Sequence, residues 1–403
     1  MSSSAKATSG NPMKSPLFST AAIVASCVGF VVIGVLQALY GPAIPTFLEK
    51  FGISTSVAGL ALSAHFAGAL AGVLVFHRLH GRVGNRSLLR GSYGLMVAGS
   101  MLFAIASNWT LALVAAVVVG LGFGGIDYGL NQLFSVGFGR RSAAMLNLLN
   151  AHFGVGAVVG PALIGWLGPR NYPWIFGGLG LISVLLMLSL GGVRQDQPER
   201  SAHEHATAGG RRALVLVASF VVIYVFHVAI ETGVGGWEPV HLETIGYSVA
   251  AAATATSVYW LSLTVGRFLV MPLSLRFSAQ SIIIVSCVGM AVCLALATIP
   301  VLTLYAYVGV GLFIAPIFPT ALPWLHRAVP TIRAAGAYVI AASMIGGVVF
   351  PPLLGSAIEL SGIRTVPLLL FGLAAICVLI SVWLARTTRP AAEDQFVHNE
   401  RYS

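Results

Sequence analysis

Twelve stretches of this chain run for some 20 residues or more almost without charge, at about 17–40, 57–77, 88–107, 110–138, 143–167, 174–193, 214–237, 249–275, 280–299, 301–325, 336–358 and 365–386. A helix needs roughly 20 apolar residues to cross hydrocarbon, so the expected fold class is an all-α membrane protein with twelve transmembrane helices. Only 8% of the residues are charged, against about a quarter in a soluble domain, which excludes a soluble globular protein. The spans consume nearly all 403 residues and leave no room for a soluble catalytic domain.

The net charge of +10 invites a nucleic-acid reading, but the distribution of the charges argues against it. Of the 22 lysines and arginines, Lys50, Arg170 and Arg364 fall in the odd-numbered connections and Arg267 inside the eighth span; the others sit in the termini and even-numbered connections. By the positive-inside rule that face is cytoplasmic, with both termini on it, in a plasma or bacterial inner membrane. The same alternation supports an even number of spans. Basicity therefore encodes orientation, and no nucleic-acid partner is expected. Cys27, Cys287, Cys293 and Cys377 all lie within apolar spans and read as reduced packing residues. The first apolar run is too long for a signal-peptide core and reads as a retained helix.

The polar run Arg194 to Arg212 is the one long connection. It divides the chain into a cytoplasmic N-terminal tail at 1–16, a six-helix bundle at 17–193, a cytoplasmic linker at 194–213, a second bundle at 214–386 and a cytoplasmic tail at 387–403. His203, Glu204 and His205 in the linker have metal-ligand chemistry but lack the rest of a site, so no metal is expected. The halves repeat: Gly156, Pro161 and Gly165 recur as Gly346, Pro351 and Gly355, 190 residues on, and Gly120 and Gly122 recur as Gly309 and Gly311, 189 on. An even number of spans separates the copies. The halves are thus expected to share one orientation about a pseudo-two-fold axis along the membrane normal, with a cleft between them at mid-membrane.

Small residues three to four apart let helices touch, and Gly156, Pro161, Gly346 and Pro351 are read as packing and gating positions. Gly120 to Gly125 satisfies GxGxxG, but that fingerprint needs a soluble βαβ unit, which is absent, so no cofactor is expected. Ionisable residues inside the spans carry more information, because a central carboxylate costs at least about 2.5 kcal/mol to insert. Asp127 is 13 residues from Arg140, roughly 20 Å into the bilayer at 1.5 Å per residue, with Asn131 one turn on and Gln132 beside it. It reads as a proton-exchanging group or as a buried acid tied to a neighbouring helix. Glu231 follows His227 by one turn in the seventh span and reads either as a cleft-facing acid or as one at the outer mouth. His65 and His152 are candidate donors or relays, or histidines bonded to backbone carbonyls. Gln37, Asn131, Asn147 and Asn150, with Tyr259, Trp260 and neighbouring aromatics, supply neutral donors and flat faces suited to hydroxyl-rich ligands such as sugars.

The loop after the second span reads Gly81-Arg82-Val83-Gly84-Asn85-Arg86. It resembles the Asp-Arg-x-Gly-Arg-Arg run of the major facilitator superfamily at Arg82, Gly84 and Arg86, with Gly81 in place of the aspartate. GLGFGGIDYGLN (Gly120 to Asn131), LNLLNAHFGVGAVVGP (Leu146 to Pro161), FIAPIFPTAL (Phe313 to Leu322) and IGGVVFPPLLG (Ile345 to Gly355) are similar to the fucose permease branch of sugar–proton symporters. The resemblance implies two pseudo-two-fold related bundles, a coupling role for the acid at Asp127, and a gating role for the loop. That branch also has a first-span acid where this chain has Gly41. By the 190-residue offset Gly41 corresponds to Glu231 and Gln37 to His227, so the missing acid's task is expected to fall to the seventh span.

The sequence therefore reads as a secondary active transporter, not an enzyme: a monomer in the lipid bilayer that moves a small hydroxylated solute, a sugar or polyol, by proton symport with alternating access. Asp127, Glu231 and His227 are the expected proton-coupling groups. Gln37, Asn131, Asn147, Asn150, His65, Tyr259 and Trp260 are the expected substrate contacts. Sodium is the alternative coupling ion; a proton-coupled exporter of drugs or metabolites, an intramembrane enzyme and a non-transporting sensor are the alternative functions.

Overall fold

The computed structural model describes residues 18–138, 141–193, 210–332 and 335–388; the His203–Glu204–His205 cluster and the side chain of Asn147 lie outside the described residues. Helices α1 (Thr20–Ala38) and α2 (Tyr40–Phe51) form the first span and α3 (Thr55–Leu79), α4 (Asn85–Ala104), α5 (Trp109–Gly137), α6 (Ser142–Leu167) and α7 (Tyr172–Ser189) the next five. The second half comprises α8 (Arg211–Thr244), α9 (Val249–Ser274), α10 (Ala279–Leu296), the broken pair α11 (Thr303–Ile314) and α12 (Ile317–Ala328), α13 (Ala335–Ser361) and α14 (Val366–Thr387). Eleven of the twelve spans are long and apolar enough to cross a membrane. The other, α4, is diluted by Asn85, Arg86 and Arg90 in its first two turns yet packs between α5 and α7.

Proline places the breaks. A proline ring clashes with the carbonyl four residues earlier and donates no bond. Pro42 and Pro45 act on Ala38 and Gly41, and the first span is interrupted at Leu39 before continuing to Phe51, well beyond the expected limit at 40. Pro316 and Pro319 likewise divide the tenth span at Ala315 and Pro316. The seventh span also exceeds its expected end at 237: α8 continues through Pro239 to Thr244.

The two halves pack alike. In the first, α1 lies on α6, α3 on α5, and α4 on α7; in the second, α8 lies on α13, α9 on α11, and α10 on α14. Close helix approaches fix the register of the repeat. Gly156 abuts the backbone of Val31 and Val35, while Gly346 abuts Val225 and Ala229; Gly72 abuts Leu121, while Gly266 abuts Leu312. The first and second spans are therefore offset by 194 residues from the seventh and eighth, the fourth by 191 from the tenth, and the fifth by 190 from the eleventh. The 190-residue correspondence of Gly41 with Glu231, and the 189-residue one for the fourth span, are corrected accordingly. Gly41 is equivalent to Gly235, Gln37 to Glu231 and His65 to Tyr259. The offset drifts because Gly266 to Gly346 is four residues shorter than Gly72 to Gly156, the shortening lying in the helices: α10 and the α11–α12 pair are shorter than α4 and α5.

The end of the molecule bearing Phe18 and Thr388 is called the near side and the opposite end the far side. The bundles close on each other in the far half. Gly41 meets the backbone of Gly235 and Gly236, Gly59 that of Pro351 and Pro352, and Gly355 that of Thr55 and Ser56. The Ser56 amide donates to Glu359 Oε1 at 2.6 Å and the Ser63 hydroxyl to the Val348 carbonyl at 2.5 Å.

Candidate functional site

About two-thirds of the way along α5, Asp127 projects one turn before Asn131. Asn131 Nδ2 donates to Asp127 Oδ1 and to the Asp127 carbonyl, both at 3.0 Å. Asn150 Nδ2, reaching across from α6, donates to Asn131 Oδ1 at 3.0 Å and to its own helix at Leu146. The result is a ladder of carboxylate and two amides bridging α5 and α6. Asp127 and Asn131 are half-buried and Asn150 is exposed, so the protein does not cover the ladder completely. No described ion pair includes Asp127. It is thus neither locked to an arginine nor sealed off, and it can exchange a proton or accept a bond from a polar ligand.

The glycines around it are structural. Gly120 and Gly124 let α5 lie on the backbone of His65 and Ala69 in α3, and Gly122 rests against Ser92 and Met96 of α4. GxGxxG here is helix packing.

The second polar group is on α8. His227 Nε2 lies 3.2 Å from Glu231 Oε2, with side chains 3% and 11% exposed. The Tyr259 hydroxyl donates to the Glu231 carbonyl at 3.3 Å, Trp260 packs against Gly235, and Arg267 of α9 is within Coulombic reach of Glu231 and Tyr259. His227, Glu231, Tyr259 and Trp260 are therefore brought together, but enclosed rather than lining an open cleft.

His65 is fully buried. Its Nδ1 is 3.3 Å from the Tyr40 hydroxyl, and Phe66 and Phe123 meet its ring edge-to-face. His152 is bonded through Nδ1 to the carbonyl of Leu148 one turn back. Gln37 is half-buried on α1. The structure thus yields two clusters, Asp127–Asn131–Asn150 and His227–Glu231–Tyr259–Trp260, and joins neither to His65.

In the loop after α3, Gly81 adopts φ +88°, a left-handed conformation that disfavours a side chain, which accounts for its presence where an aspartate would be strained. Gly84 caps α4. Arg86 donates from Nε and Nη2 to the Val193 carbonyl at 3.0 and 2.8 Å, tying this loop to the end of the first bundle.

One residue absent from the expectations stands out. Glu238, two turns beyond Glu231 on α8, is completely buried, and neither carboxylate oxygen has a hydrogen-bond partner among the described residues. Its signal in the sequence is an acid seven residues, hence one helical face, from Glu231. Ending the span at 237 hid it.

Comparison with known proteins gives three kinds of likeness. The sequence model described as "Major Facilitator Superfamily" matches residues 26–334 and 220–399. The glucose/mannose transporter GlcP of Bacillus subtilis is 23% identical over 89% of this chain and 93% of its own length. A mouse (Mus musculus) sodium-dependent glucose transporter 1A is 21% identical over 81% and 87%. Among solved structures, a D-xylose–proton symporter superposes with a TM-score of 0.77 at 13% identity, covering 92% of this chain and 98% of that one. The fucose:proton symporter of E. coli superposes at 0.59 with 19% identity, covering 90% and 98%.

Proposed function

The chain belongs to the major facilitator superfamily and is a multi-pass membrane transporter, not an enzyme; from that premise we propose that it moves a sugar or related polyol by proton symport, with Asp127 as the coupling acid. The Asp127–Asn131–Asn150 ladder carries the reading. A carboxylate free of any described cation and left partly uncovered by the protein can load a proton, and the adjoining amides offer donors and acceptors to a hydroxylated solute. The sugars for which those relatives are named are hydroxyl-rich solutes that suit this chemistry.

In the proposed cycle both termini are cytoplasmic, so the closed far side faces outward and the ladder is open to the cytoplasm. Asp127 protonates when the far side is open, solute binds beside Asn131, Asn147, Asn150 and Gln37, and the neutralised carrier reorients. Loss of charge removes the cost of enclosing a carboxylate. The bundles at 17–193 and 214–386 move as units joined by the 194–213 linker, and the monomer suffices.

Uptake into proteoliposomes tests the reading. Asp127→Asn is expected to abolish proton-driven accumulation while solute exchange continues, and solute addition to the wild type is expected to alkalinise the outside medium. Full concentrative uptake by the variant would overturn the assignment. Accumulation driven by sodium at constant pH would replace the proton with sodium, and medium acidification would indicate an exporter.

A further inference from the structure

We propose that Glu238 is a second proton-binding site of this chain, loaded while the far side is closed and independent of Asp127. Its carboxyl is 0% exposed, neither oxygen completes a hydrogen bond among the described residues, and the Thr256 hydroxyl is the one side-chain donor close enough to act on it. The polar groups around it are all committed. The Thr256 hydroxyl, which faces it from α9, donates to the Ala252 carbonyl at 3.2 Å. Tyr259, also on α9, donates to Glu231 O, and Tyr307 of α11 shares its hydroxyl with His241 Nδ1 at 2.8 Å.

The charged groups supply no counterion either. Along α8, Glu231 pairs with His227, His241 engages Tyr307, and Glu243 is a like charge. Arg267 of α9 acts on Glu231 and Tyr259, and Arg364, from the turn before α14, acts on His241. From α2, Glu49 and Lys50 turn to Arg170, Tyr172 and the Ala106 carbonyl. An ionised carboxylate in such a place is costly. A proton removes the charge and needs no further ligands, whereas sodium would require several oxygens, and the three hydroxyls at hand are already engaged.

The surrounding helix links the site to the far gate. Residues Ala229 to Pro239 of α8 are buried without interruption, and α2 packs on this stretch through Gly41 against Gly235 and Gly236. Pro239 cannot donate to the Gly235 carbonyl, so α8 has a weak point one turn before Glu238. Opening the far side withdraws α2, α8 bends at this point, and water reaches the carboxyl, which exchanges its proton with that side.

Infrared spectroscopy of the full-length protein in liposomes tests the site directly. At neutral pH the wild type is expected to show the C=O band of a protonated carboxyl, which Glu238→Gln loses and which Asp127→Asn and Glu231→Gln retain. Should Glu238→Gln fail to fold, Glu238→Asp is expected to shift that band. A band unchanged in the Glu238 variants, no band in the wild type, or its removal by sodium at constant pH would overturn the proposal. Because Asp127→Asn keeps the band, failure of Asp127 coupling and failure of this site give different results.

Discussion

Glu231 and Asp127 are both acids within spans, yet their surroundings set them different tasks. Asp127 accepts one amide and is only partly covered by the protein; Glu231 is enclosed with a histidine, a tyrosine and a nearby arginine. Glu231→Gln is therefore expected to lower transport and flatten its pH dependence without eliminating exchange, measured as uptake rate across pH; an unchanged rate and profile would remove Glu231 from the mechanism. Asn150→Ala is expected to raise the KM for solute severalfold and to cost about 1 kcal/mol of stability, the net worth of a hydrogen bond, read by binding and by thermal melting. The ladder was legible in the sequence because i to i+4 spacing puts Asp127 and Asn131 on one face. The link to Asn150 was not, since spacing within a helix says nothing of which neighbour it faces. Glu238 escaped because apolar periodicity fades where a helix end is covered by protein, and α8 runs seven residues past the expected limit at 237.

At the scale of elements, sequence runs gave the number of spans, and proline explains where two of them break. The register between the halves needed contacts. A glycine motif aligns two copies only locally, and the ninth and tenth spans, shorter than the third and fourth, shift the offset from one motif to the next. Gly41→Leu follows from the corrected register: with no space for a side chain against Gly235, α2 cannot seat on α8. The expected outcome is a transporter held open on the far side, seen as faster labelling there by a membrane-impermeant reagent and uptake reduced at least about tenfold, the effect of roughly 1.4 kcal/mol in the closing equilibrium. Gly156→Val tests the intra-bundle counterpart. It should destabilise the first bundle by about 1–3 kcal/mol through overpacking between α1 and α6, visible as a lower melting temperature with no preference for one side.

For the molecule as a whole, the far side is closed by backbone-to-backbone approaches and, among the described residues, two hydrogen bonds across the bundles. Ser56→Cys with Glu359→Cys, joined by a short thiol cross-linker, is expected to stop net transport while leaving near-side solute binding intact; continued transport by the cross-linked protein would mean that this seam does not part. The seam has a further implication. Gly41 and Gly235 occupy equivalent places in the repeat, yet a side chain on Gly41 would strike the backbone of Gly235 across the seam, whereas one on Gly235 would strike the Trp260 ring within its own bundle. Bulk at Gly41 therefore obstructs closure, while bulk at Gly235 disturbs the packing of α8 on α9. Acting on different contacts, the two enlargements should add, so the internal duplication has left equivalent positions with separate tolerances to mutation.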